Sequence, residues 1–204
     1  MKQVNLTNTT KQWDVTEEAT YIAKALQGLG IDLSDPNFCD TPMRVAKHLF
    51  EFTKPKDEIE KDIKQFTAAK FPATNREMVM VSGIRIASLC PHHLVSILYD
   101  VNIGYIPEKF VVGLSKLARI AEELAKHPFL QETYTELLAT TVFEKLECLG
   151  SIVVVKGLHM CMVGRGVKQN AVTTTSSLKG VFMNESHAKM EFLELLKISK
   201  DWSF

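Results

Sequence analysis

Neither charge sign prevails in this chain of 204 residues: Lys plus Arg is 24 and Asp plus Glu is 24. A global basic field for nucleic acid is absent, and no basic amphipathic stretch argues for a membrane surface. Any bound anion must therefore be held by a local cluster. No apolar run approaches the ~20 residues of a membrane span. The segment from Met1 to Trp13 is polar and lacks the apolar core of a secretory signal. Cysteine is scarce too: Cys39, Cys90, Cys148 and Cys161 are too few for a disulfide scaffold of this length. The expectation is a cytoplasmic protein in which cysteine serves metal binding, catalysis or packing. A hydrophobic share of 46% and a charged share of 24% exclude disordered and fibrous classes.

Two apolar periods organise what is present. After a loose tail to about residue 15, Thr16 is expected to cap a helix with Glu17 and Glu18 in its first turn. Ala19, Ile22, Ala23, Leu26 and Leu29 give that helix its period, and Gly28 and Gly30 end it. Asp40-Thr41-Pro42 starts a second helix. Residues 54–76 are charged, interrupted by Pro55 and Pro72, and read as an irregular connection. The period then becomes two. Residues 78–90 read as a strand, and 94–106 alternates most clearly, with Ile97, Tyr99, Val101, Ile103 and Tyr105 on one face. Helices follow from Ser115 and from Pro128. A third strand covers 152–155, and a fourth is expected from about Met160, interrupted at Gly164 and Gly166. Thr173 to Ser177 is β-prone, and a last helix spans 187–197.

The resulting order is two helices, then β-β-α-α-β-β, then a helix. Short connections make each strand pair antiparallel. The class is α+β, with residues 1–75 as tail and helical arm and 76–204 as the sheet-bearing domain. Open sheet edges favour assembly with copies of the same chain.

Chemistry concentrates in two short motifs. Three of the six histidines stand near cysteines, in Cys90-Pro91-His92-His93 and His159-Met160-Cys161. Thiolate and imidazole are preferred zinc ligands. Cys90 and His93 can reach one ion from a single turn, and Cys161 can supply a third ligand from a distant strand. Three ligands leave a fourth position for water. The competing reading makes these cysteines buried small hydrophobes, which is how Cys39 and Cys148 are read. His92 and His159 remain beside the metal and suit proton transfer, unless one of them replaces an assigned ligand.

Cationic residues form a second pattern. Ser115-Lys116 opens a helix, and Lys116 and Arg119 share one face near its anion-favouring N-terminus. Arg165 is flanked by glycines four residues after Cys161, while Arg44 and Lys47 are three apart on the second helix. Each could be a plain surface charge; an anionic substrate near the metal would unite them. Glu132, after Gln131, can stabilise a helix N-terminus or accept two hydrogen bonds from guanine.

Taken together the motifs resemble GTP cyclohydrolase I. They are Asp40-Thr41-Pro42-x-Arg44-Val45-Ala46-Lys47, Cys90-x-His92-His93, Gly104-Tyr105-Ile106-Pro107, Gly113-Leu114-Ser115-Lys116-Leu117-x-Arg119-Ile120, Gln131-Glu132, His159-x-Cys161, Arg165-Gly166 and Thr173-Thr174-Thr175. They run in the family's order from about residue 16 to 197. The resemblance implies the tunnelling fold and a homodecamer of two pentameric rings with sites between subunits. It implies zinc, one ion per subunit, and conversion of GTP and water into 7,8-dihydroneopterin triphosphate and formate, the entry to folate, other pterins and 7-deazaguanines. No nucleic acid or membrane partner is implied. Cys90, His93 and Cys161 resemble the zinc ligands, and His92 and His159 the catalytic histidines. Gln131 and Glu132 fall where guanine is recognised. Ser115, Lys116, Arg119 and Arg165 fall where the triphosphate is held, with Arg44 and Lys47 reaching a neighbouring subunit's site. Pro91, the segment 167–172 and Lys179 depart from the family pattern. Rival readings are another tunnelling-fold purine or pterin enzyme, and a non-catalytic zinc-stabilised nucleotide-binding ring.

Overall fold

A computed structural model describes residues 14–200, which divide into two units between Glu51 and Phe52. In the first, α1 (Val15–Gly28) packs on α2 (Thr41–Glu51). The cap of α1 is Asp14 rather than Thr16: its carboxylate accepts the Thr16 backbone N–H at 2.8 Å. Aspartate two residues earlier satisfies the same orphan donors that Thr16 was expected to serve. Pro42 sits in the first turn of α2, where its missing N–H costs nothing, and is buried with Ala46. Arg44 and Lys47 lie exposed on α2, and Arg44 pairs with Asp40 at 3.1 Å.

The second unit opens with a helix where a connection was expected. It is α3 (Lys56–Phe66), and Ile59 and Ile63 bury one narrow stripe of it. Its charged residues belong to the exposed side, which masks a helical period carried by few apolar positions. Lys54 bridges Asp62 of α3 to Glu123, whose side chain is 4% exposed. Glu123 also takes Lys126 at 2.8 Å, so the buried carboxylate has two cations.

A four-stranded antiparallel sheet forms the body, in the order β2-β3-β5-β6: β2 is Val79–Leu89, β3 Ser96–Ile106, β5 Gly150–His159 and β6 Val172–Gly180. A small outlying pair joins β1 (Phe71–Pro72) to β4 (Phe110–Val111). Two helices, α4 (Ser115–Ala125) and α5 (Gln131–Leu146), cover one face. Ile97, Tyr99, Val101, Ile103 and Tyr105 of β3 meet Leu117, Ile120, Tyr134 and Leu138 there, as the alternation requires. Lys179, which departs from the family pattern, ties β6 to Glu136 of α5. That contact, with Ser177 as a second donor, holds the Glu136 carboxyl below its ordinary pKa.

The expected strand from Met160 is instead one helical turn, α6 (Met160–Val163), followed by a loop, and the β-prone threonine run forms β6. Phe182 of α7 (Val181–Asn184) and Phe192 and Leu196 of α8 (Ser186–Lys200) cover part of the opposite face. Gly104 permits that approach: a Cβ there would lie 2.7 Å from the Phe192 ring. No helix of the described residues is long and apolar enough to cross a membrane.

Candidate metal centre and substrate site

At one end of the sheet, β2 runs out into the turn Cys90–Val95. The Cys90 N–H donates to the Val95 carbonyl at 2.9 Å, and the Leu94 N–H to the Cys90 carbonyl at 2.8 Å. Leu94 adopts φ +50°, a left-handed conformation that an ordinary side chain rarely takes. This tight closure puts Cys90 Sγ 3.7 Å from His93 Nδ1 and 3.8 Å from His92 Nδ1. On the far side of β3, His159 ends β5 opposite Ile97, and the single turn α6 follows. Cys161 in that turn lies with its Sγ 3.7 Å from Cys90 Sγ.

Cys90, His93 and Cys161 offer ligand atoms that all lie within 4.8 Å of one another. Sulfurs bound at ~2.3 Å to a tetrahedral metal stand ~3.8 Å apart, and sulfur and imidazole nitrogen ~3.6 Å apart. The observed 3.7 Å separations fit such a centre. Burial, and then the adjacent Cys90 sulfur, raise the Cys161 thiol above its ordinary pKa, while Arg165 opposes them. A cation at the centre of the group would favour both thiolates. Cys148 behaves as the packing residue expected: it is buried, donates to the Gly150 carbonyl at 3.2 Å, and is pushed up to about 11 by burial. Cys39 is exposed and belongs to the other unit.

The first turn of α5 flanks the centre. Glu132 is exposed, with no hydrogen bond or ion pair among the described residues. Burial holds the His159 imidazole below its ordinary pKa, with the charge of Glu132 working against it, and that charge also reaches the phenol of Tyr99. Gln131 points the other way. Only 3% exposed, its side-chain amide donates toward the Val155 and Thr173 carbonyls at 3.2 and 3.1 Å and toward Thr175 Oγ1 at 3.1 Å. Its Oε1 lies 2.8 Å from His159 Nε2. The side chain expected beside guanine is thus spent within the protein, leaving Glu132 as the available carboxylate.

Arg165 stays with the metal group; its charge is felt at Cys161, and Gly166 beside it takes φ +58°. Ser115 and Lys116 do not join it within one chain. The Ser88 hydroxyl, two residues before Cys90, donates to the Ala125 carbonyl at 2.8 Å, so α4 ends near the Cys90 turn and begins away from it. Eleven residues of helix place Ser115 and Lys116 about 15 Å along the axis from that point. Arg119 lies between, its guanidinium over the Phe66 ring at 6.0 Å. Arg44 and Lys47 belong to the other unit.

Three participants escaped the sequence reading. Thr135 shares a 2.7 Å hydroxyl contact with Thr175, and Tyr99, stacked on Tyr134 at 5.0 Å, has a buried hydroxyl without a hydrogen-bond partner among the described residues. Gly157 completes the group, since a Cβ there would stand 2.2 Å from Gln131 Oε1. The spacing of Thr135 four residues after Gln131, on one helix face, was the available signal.

A β-β-α-α-β-β sheet carrying a Cys–His–Cys group at one end defines a tunnelling-fold protein with a candidate divalent-metal centre. Residues 18–197 match the family model of GTP cyclohydrolase I, and the chain belongs to that family. GTP cyclohydrolase 1 of Halalkalibacterium halodurans is 41% identical over 178 residues, covering 86% of this chain and 93% of that protein. The Rattus norvegicus protein of the same name is 40% identical over 180 residues, covering 88% and 74%. In Drosophila melanogaster the identity is 41% over 172 residues, and this chain spans only 52% of that longer protein. Among solved structures, the apo archaeosine synthase QueF-Like aligns with a TM-score of 0.44 and 17% identity over 52% of this chain and 97% of its own, too slight a likeness to support an argument.

Proposed function

We propose that the chain catalyses the GTP cyclohydrolase I reaction: hydrolytic opening of the guanine imidazole ring at C8, loss of formate, and closure to 7,8-dihydroneopterin triphosphate. The observation that carries this reading is the Cys90–His93–Cys161 group with His159 and Glu132 beside it. A zinc ion, one per subunit, suits these donors and would supply Lewis-acid activation of water for attack on C8. His92 and His159 hold and move protons during ring opening, and the hydrogen bond at Nε2 leaves Nδ1 of His159 for that work. Glu132 accepts the N1–H and exocyclic amine of guanine. Arg165 takes phosphate charge from the metal side.

The position of Ser115 and Lys116 supports a site shared between subunits. The anion-favouring N-terminus of α4 serves a neighbour's pocket, alongside Arg119, Arg44 and Lys47. The assembly proposed is the decamer of two pentameric rings implied by the resemblance, with strands β2 and β6 free to continue the sheet at its edges.

The test is turnover of GTP, ATP and guanosine with zinc present, reading formate and the fluorescence of the oxidised pterin, together with mass in solution. GTP should turn over and ATP should not, because adenine offers Glu132 neither an N1–H nor a 2-amino donor and, once bound, would cover that carboxylate without pairing it. Glu132→Ala should cut kcat/KM for GTP by ~10²-fold or more. Equal turnover of ATP and GTP removes that role from Glu132, and a fully active monomer refutes the shared site.

A further inference from the structure

We infer that Gln131 is a positioning residue that fixes which nitrogen of His159 carries the proton, rather than a reader of the base. The inference rests on the proposed role of His159 in proton transfer. Amide nitrogen and oxygen look alike by shape, but their neighbours here separate them. The Val155 and Thr173 carbonyls, at 3.2 and 3.1 Å, can only accept hydrogen bonds, so the atom facing them must be the NH₂. The remaining amide atom is a carbonyl oxygen, which can only accept. It faces His159 Nε2 at 2.8 Å, so Nε2 must carry a hydrogen and the neutral ring has a bare Nδ1.

Several features lock this arrangement. Gln131 is 3% exposed, so its side chain has little freedom to turn toward a substrate. Thr175 Oγ1 accepts from the amide at 3.1 Å and is itself held by Thr135 at 2.7 Å. The Thr135 hydroxyl also donates to the Gln131 carbonyl at 2.7 Å, tying the hydroxyl pair to the same turn of α5. Gly157, which pairs with Tyr99 across β3 and β5, leaves room for Oε1 where a Cβ would intrude to 2.2 Å. An amide, unlike a carboxylate, orients the ring without adding a charge that would compete with Glu132.

The experiment has two arms. The first is ¹⁵N NMR of histidine-labelled, zinc-loaded wild type at about pH 8, above the ordinary range where His is cationic. His159 should give the Nε2–H tautomer; an Nδ1–H signal overturns the inference whatever the activity. The second arm is Gln131→Met, which keeps length and burial but removes the acceptor. Zinc content and KM for GTP should stay within about 3-fold, while kcat falls ~10²-fold, as when an imidazole loses the group that sets its tautomer. An unchanged kcat, or a raised KM at constant kcat, overturns it. Should Gln131→Met fail to fold, the wild-type spectrum still decides. Should wild type lack GTP turnover altogether, the functional reading fails while the tautomer is still read directly.

Discussion

Cys161→Ala is expected to lose bound metal and activity together. Metal analysis should fall from one equivalent per subunit to near zero, and formate release to background. The reason lies in how the donors are held. Cys90 and His93 come from one turn at the end of β2, whereas Cys161 arrives from α6 beyond β5, so it closes the group from the far side of β3. Without it, two donors from one turn remain, too few for a tetrahedral centre with one open position. Cys148→Ala is the matched control. It removes a more deeply buried sulfur outside the group, and should keep both metal and turnover. A Cys161→Ala protein with full metal content would remove that residue from the ligand set.

His92→Ala and His159→Ala should behave differently, keeping zinc while losing ~10²–10⁴-fold in turnover, the range typical of general acid–base groups. His92 stands 3.8 Å from Cys90 Sγ but outside the trio whose atoms are mutually close. His159 is turned to Gln131 through Nε2. Metal content and single-turnover rates separate the outcomes. Loss of zinc in His92→Ala would place His92 in the ligand set, and near-normal turnover in either variant would remove that residue from the chemistry.

The sheet was legible because alternation in 94–106 is a direct record of one buried face, and the clustering of Cys90, His93 and Cys161 because Cys and His are rare and their chemistry narrow. Three things were not. α3 hid because its apolar stripe is two isoleucines wide among charges that belong to solvent. The strand expected at Met160 failed because Cys161 must turn back toward Cys90, and a helical turn does that where a strand would carry it away. The resemblance put Gln131 beside guanine with Glu132, and its internal hydrogen bonds to Val155, Thr173 and His159 carried no signal in the sequence. On a helix, adjacent residues point about 100° apart, so one enters the core as its neighbour leaves it.

The direction of α4 carries a consequence for heredity. If, as proposed, the start of α4 completes a pocket around a neighbour's Cys90–His93–Cys161 group, a lesion in either half of the pocket disables different composite sites. Two defective alleles, Cys161→Ala and Lys116→Ala, would each be null when expressed alone. Co-expressed, they would rebuild some pockets from the intact trio of one product and the intact helix start of the other. Random mixing would return roughly a quarter of the sites, since each intact half is drawn with even odds. Purified hetero-oligomers with about that share of wild-type formate release would be the signature of interallelic complementation. No recovery would mean that both halves of each pocket belong to one polypeptide.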